Sequence, residues 1–265
     1  MGLIHHVVTG QGLPPVVFVH GFGCAHSDWD AQVAHLAPRH RCVAVDLRGH
    51  GQSPGDAADC SIERYGADVA ELLRALGLRD AVVVGHSLGC RVVTEVALQA
   101  PHHVAALVFI DGSQFAPAMR ASLLERFASP DGFATLAGGM FKDMFTAKSE
   151  PRMVAAVVDR AVRLSRAVGE KMMLDLQRYD VARLASSLGA LRVPVLAIQA
   201  TYTNERRERR TLTAGQSTPY LDMLRAAVPS VRVKIVPETG HFPQIDEPGR
   251  VNALLDGFLA ARHAG

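Results

Sequence analysis

The stretch "VVVGHSLGC", residues 82–90, runs from an apolar strand-like segment directly into a helix-like one. Three consecutive valines have the character of a strand buried on both faces. "LGCRVVTEVALQAP" (88–101) then reads as a helix that stops at Pro101. Between them, Gly85-His86-Ser87-Leu88-Gly89 fits the pattern G-x-S-x-G. A sharp strand-to-helix turn holds its serine in a strained backbone conformation. Glycines two residues to either side let neighbouring backbone approach where a Cβ would clash. The helix N-terminus behind Ser87 favours negative charge at that point. The spacing therefore predicts Ser87 as a nucleophile presented at a strand end.

Working outward, further apolar runs occur at 16–21, 41–46, 104–112 and 193–200, and a more alternating one at 231–241. Helical patterns lie between them. "SIERYGADVAELLRALGL" (61–78) has Ser61 as N-cap and one apolar stripe, and 217–229 has Thr218 as N-cap with Pro219 at N1. Residues 248–263 form a closing amphipathic helix. This order predicts an α/β fold, a doubly wound and mostly parallel sheet with helices on both faces. Residues 4–10 are expected to add an antiparallel edge strand. Residues 113–190 break the alternation with helix-like stretches and no convincing strand. We read them as a helical lid inserted between two strands, with 1–112 and 191–265 as the core domain.

His20-Gly21-Phe22-Gly23 closes the first buried strand. A glycine-rich turn there can aim the Phe22 N–H at the site, with the Leu88 N–H as its partner, to hold an oxyanion. Together "HGFG" (20–23), "DLRGHGQS" (46–53), "GHSLG" (85–89) and "GHFPQIDEP" (240–248) resemble the α/β-hydrolase fold superfamily in its small, lidded, esterase-like branch. The resemblance covers nearly the whole chain and is least diagnostic in the lid. It implies a Ser-acid-His triad in that chain order, without fixing the substrate.

Twelve histidines compete for the role of general base. His241 matches the family's histidine. His86 abuts Ser87 but is expected to point away from it, and His20 and His50 are expected to be hydrogen-bonding supports. The pairs His5-His6 and His102-His103 have no second cluster at ligand spacing, so no metal is expected. The family's usual acid follows the strand at 193–200, at Thr203 or Asn204, and neither is a carboxylate. Asp111, at the end of "ALVFIDG", is assigned instead, because some members of the fold carry their acid there. Glu205 stands second and Asn204 is a neutral substitute. The E-R-R-E-R-R run at 205–210 is read as a solvated loop that either rims the entrance and favours an anionic substrate or, as the preferred reading, has no such role. Asp46 is expected to brace its turn, and Trp29 to serve packing.

The totals narrow the classes. A net charge of +2 in 265 residues excludes nucleic acid or an anionic membrane as the main partner. No apolar run reaches the roughly 20 residues of a membrane span. The four scattered cysteines and the absence of a signal-peptide pattern point to a reducing, cytoplasmic setting. The expected activity is cofactor-independent hydrolysis of a carboxylic ester with a small to medium apolar acyl group. Phe115, Met119, Phe141, Met144 and Phe145 are candidates to shape the pocket. Lactone or C–C hydrolysis and cofactor-free lyase or oxygenase chemistry are the enzymatic alternatives, and a ligand receptor is the non-enzymatic one.

Overall fold

The computed structural model describes residues 2–204 and 208–263. The apolar runs are strands: β1 (His6–Thr9), β2 (Val16–Val19), β3 (Cys42–Val45), β4 (Ala81–His86), β5 (Val104–Ile110), β6 (Val195–Gln199) and β9 (Arg232–Ile235). They form one seven-stranded sheet in the order β1-β3-β2-β4-β5-β6-β9, and β1 alone is antiparallel to its neighbour. The alternating run at 231–241 ends as a strand at Ile235. Two short strands not expected from the sequence, β7 (Thr201–Thr203) and β8 (Arg209–Thr211), make a separate antiparallel hairpin just past β6.

The helices are α1 (Asp30–Leu36), α2 (Ile62–Ala75), α3 (Leu88–Gln99), α4 (Met119–Phe127), α5 (Gly132–Lys142), α6 (Pro151–Val162), α7 (Arg166–Ala182), α8 (Leu184–Gly189), α9 (Pro219–Ala227), α10 (Pro243–Asp246) and α11 (Pro248–His263). Ser61 caps α2 by accepting the Arg64 N–H at 3.1 Å, and Thr218 caps α9 by accepting the Leu221 N–H at 3.2 Å. Within the described residues of 113–190, α4 to α8 are the regular elements. No described helix is long and apolar enough to cross a membrane.

The two-residue period of the strands divides the core. Val17, Val19, Val43, Val45, Val83 and Phe109 point to the face covered by α2, α3 and the 119–189 helices. Val16, Phe18, Ala44, Val84, Val108 and Ile198 point to the other face, where Trp29, Leu36, Val251 and Leu255 of the α1 and α11 layer meet them. Trp29 is fully buried with its ring 5.1 Å from Phe18, in the packing role expected of it. Both faces being covered is why the strand sequences carry no polar alternation.

Candidate active site

Ser87 stands between β4 and α3 with φ 53° and ψ −112°, a left-handed conformation that costs a non-glycine residue energy. The flanking glycines explain how the turn closes. A Cβ on Gly85 would lie 2.4 Å from the Gly89 carbonyl oxygen, and one on Gly89 would lie 2.5 Å from the Val19 carbonyl oxygen. A Cβ on Gly21 would come within 3.2 Å of the Ser87 Cβ, so the turn after β2 approaches the serine directly.

That turn is held by His20. The Leu47 N–H donates to His20 Nε2 at 3.0 Å, which leaves the proton on Nδ1, and Nδ1 donates to the Gly21 carbonyl at 2.7 Å. Burial lowers the His20 pKa to about 3, so the ring is neutral at pH 7. His50 is likewise neutral, lowered by burial to about 4. Phe22 and Leu88 border the same cavity as Ser87, and among the described residues neither backbone N–H has a hydrogen-bonding partner.

His241 follows β9 in a loop tied down at several points. Its N–H donates to the Met144 carbonyl at 2.6 Å, and Gly240 N–H donates to Asp246 at 3.2 Å. His241 Nδ1 lies 2.6 Å from Asp111 Oδ2. Asp111 ends β5 with φ 44° and is fully buried. Its Oδ1 accepts the backbone N–H groups of Ala200 and Thr201 at 2.7 and 2.8 Å, and its Oδ2 also accepts the Thr201 hydroxyl at 2.5 Å. β5 lies beside β4 in the sheet, and their registers pair His86 with Ile110, which sets Asp111 level with Ser87. Burial pushes the Asp111 pKa up, opposed by the Arg209 charge and the hydrogen bonds from Thr201 and Ala200. Burial, then the charges of Arg209 and Arg91, hold His241 well below its ordinary value.

His86 packs against the His241 loop. Its ring lies 4.8 Å from that of His241, its Nε2 donates to the His241 carbonyl at 2.8 Å, and it borders the cavity. The β4 strand ends in alternation, and the fully buried His86 side chain packs beneath the His241 loop.

The arginine loop needs the larger correction. In β8, Arg209 pairs with Thr203 of β7. Opposed residues share a face, as do residues two apart, so Arg209 turns to the same side as Thr201 while Arg210 turns outward. Arg209 Nη1 donates to Thr201 Oγ1 at 2.7 Å and lies 3.1 Å from His241 Nδ1. Asn204 exchanges hydrogen bonds with Glu208 within the hairpin at 3.0 Å, away from this pair. Glu205 lies outside the described residues.

A second residue missed in the sequence is Arg91, one turn into α3. It is buried, donates from Nε and Nη2 to the two carboxylate oxygens of Asp180 at 2.9 and 2.7 Å, and also donates to the Ser87 and Ser113 carbonyls. Asp180 accepts the Phe115 N–H as well, at 2.7 Å. The available signal was an arginine inside an otherwise apolar helical stretch.

Ser87, His241, Phe22 and Leu88 converge on one cavity of about 50 Å³, bordered also by Phe115, Met140, Phe141, Met144, Met173 and Leu176. Of the expected pocket residues, Met119 and Phe145 pack in the core instead, Phe145 stacked on Phe242 with rings 4.8 Å apart. Among the described residues, Ser87 has no hydrogen bond to His241. Asp46 braces its turn as expected: it accepts the His26 and Gln52 N–H groups and sits 3.0 Å from Nδ1 of both His5 and His26. Among the described residues, His5, His26 and Asp46 form a cluster whose ligand atoms could hold a metal ion.

The model of the alpha/beta hydrolase family matches residues 16–254. The chain is 26% identical over 267 residues to the dihydrolipoyllysine-residue acetyltransferase component of an acetoin cleaving system from Cupriavidus necator, covering 97% of this chain and 66% of that protein. It thus spans slightly less than two thirds of the length of that relative, and 64% of the corresponding Pseudomonas putida protein. Among solved structures, a thermophilic esterase from Thermogutta terrifontis superposes with a TM-score of 0.81 at 22% identity, covering 97% of this chain and 93% of that one. An enol-lactonase from Burkholderia xenovorans superposes with a TM-score of 0.79 at 21% identity, covering 97% and 95%. These two share the fold.

Proposed function

Because the chain belongs to the α/β hydrolase family, we propose that it is a serine hydrolase cleaving a carboxylic ester of a small to medium, largely apolar acid through an acyl-enzyme. The observation that carries this reading is the shared cavity: a strained, partly exposed serine at a strand-helix turn, beside an imidazole whose Nδ1 is held at 2.6 Å by a buried carboxylate. Asp111 fixes the tautomer with the proton on Nδ1, which leaves Nε2 able to accept. Ser87 Oγ attacks the ester carbonyl as His241 Nε2 takes its proton. The carbonyl oxygen becomes an oxyanion and accepts from the Phe22 and Leu88 N–H groups. Collapse expels the alcohol, which takes the proton from His241, and leaves Ser87 acylated. Water then repeats the sequence, giving the free acid and restoring Ser87.

In this reading residues 113–190 act as a lid, and its apolar side chains above Ser87 exclude water from the oxyanion. The lining of phenylalanine, methionine and leucine favours an apolar acyl group. Fluorophosphonate labelling tests the assignment. The wild-type protein is expected to label and Ser87→Ala is not; labelling that persists in the variant places the nucleophile elsewhere. A panel of 4-nitrophenyl esters of graded chain length then gives the acyl preference.

A further inference from the structure

Beside the Ser87 cavity lies a second one of about 330 Å³ at the mouth of the β7–β8 hairpin, and Ser113, Phe115 and Arg209 border both. Its volume is that of a small-molecule subsite. Its polar wall includes Gln114 and Tyr220, while Gln199 and Thr201, which also line it, donate to the Gly112 and Thr201 carbonyls and to Asp111, and no aspartate or glutamate is among the described residues lining it.

Arg209 is the charged group on the shared wall, with its side chain only 19% exposed. A guanidinium removed from water needs an anion in contact. Among the described residues the carboxylates acting on it are Asp111, whose Oδ2 is 3.8 Å away and whose two oxygens already serve Ala200, Thr201 and His241, and Asp143, which makes no ion pair with it. Arg209 donates Nη1 to Thr201 and holds it 3.1 Å from His241 Nδ1, and its Nε and Nη2 have no hydrogen-bonding partner among the described residues. The contrast with Arg91 is direct. That guanidinium borders the Ser87 cavity too, but Asp180 and two carbonyls consume its donors. The Nε and Nη2 of Arg209, unpartnered among the described residues, form the edge of a guanidinium that matches a carboxylate in parallel, bidentate fashion.

We infer that the second cavity is a substrate subsite for a carboxylate, seated on Arg209, so that the preferred ester carries an anionic group at the far end of an apolar acyl chain. The inference rests on the ester-hydrolase reading of Ser87 and narrows its substrate class. The apolar span fits the first cavity, and the charged end passes Phe115 and Ser113 into the second.

The test compares mono-4-nitrophenyl esters of succinic, glutaric and adipic acid with the matching esters whose far carboxylate is a primary amide. For at least one chain length, kcat/KM for the anion should exceed that for the amide about tenfold or more, with the difference in KM. Arg209→Gln should bring that ratio to about one; reading a ratio cancels any general effect of the change on His241. Equal kcat/KM for anion and amide at every length, or a preference unchanged in Arg209→Gln, overturns the subsite. Calorimetry with glutarate on the Ser87→Ala protein reads the same subsite without turnover. Binding there that is lost on adding Arg209→Gln supports it even if no ester is cleaved, whereas absent ester cleavage and absent fluorophosphonate labelling would count against the hydrolase reading. No glutarate binding to Ser87→Ala overturns the subsite.

Discussion

Replacing Asp111 by asparagine tests the arrangement more sharply than deletion would, because the change is isosteric. Asp111 Oδ1 accepts two backbone N–H groups, from Ala200 and Thr201 at 2.7 and 2.8 Å. The asparagine oxygen must take that place, since an amide NH₂ facing two N–H donors would leave all of them unsatisfied. Its NH₂ then replaces Oδ2, 2.6 Å from His241 Nδ1. A donor at that point requires Nδ1 to accept, which puts the imidazole proton on Nε2, where the base must be empty. The expected loss in kcat is about 10⁴-fold, the scale known for this kind of tautomer reversal, or about 5.5 kcal/mol of barrier. The assay is steady-state hydrolysis of a 4-nitrophenyl ester, with folding checked by circular dichroism. Glu205→Gln, run in parallel, should change kcat by less than about twofold, as expected when Asp111 supplies the acid. An Asp111→Asn protein within about tenfold of wild type, with Glu205→Gln strongly impaired, would refute the assignment of the acid.

Three further outcomes follow from the buried charges. Asp180→Asn leaves Arg91 buried with half of its ion pair gone, which should cost about 3–5 kcal/mol and lower the melting temperature by about 10 °C; an unchanged melting curve would remove this pair from the account. Activity requires neutral His241, whose pKa lies well below 6.5, so the acid limb of kcat/KM should fall below pH 6.5 and move upward in Arg209→Gln; a wild-type limb above 6.5 contradicts the cause given. His20, His50 and His86 are lowered to about 3, 4 and 3, so the unfolded chain binds their protons near pH 6.5 while the folded chain refuses them. Stability must therefore fall as pH drops below 6.5, by up to about 1.4 kcal/mol per pH unit for each group, and urea midpoints at pH 7 and 5 read this directly.

The sheet was legible because both of its faces are covered, so each strand is an uninterrupted apolar run that sequence alone marks. Ser87 was legible because the turn that presents it needs glycines at fixed spacing on both sides, and the distances at Gly85 and Gly89 show why. Asp111 could be named because a strand end beside β4 is a place fixed by topology. Arg209 was not legible. Its inward turn depends on the pairing of two three-residue strands, and in the sequence it sits among three other arginines that look alike. The contact of His86 with the His241 loop was not legible for a related reason: it depends on the packing of a loop 155 residues away. Arg91 and Asp180 likewise meet across 89 residues, beyond any local pattern.

The N–H of His241 is fastened to the carbonyl of Met144, and Arg91 is fastened to Asp180 on α7. Two points of the 113–190 segment are thereby tied to the residues proposed to perform the chemistry. A wholesale swing of those helices would drag the proposed base off its seat, and residues 113–117 are tied as well, the Ser113 carbonyl to Arg91, the Phe115 N–H to Asp180 and the Pro117 carbonyl to Gln177.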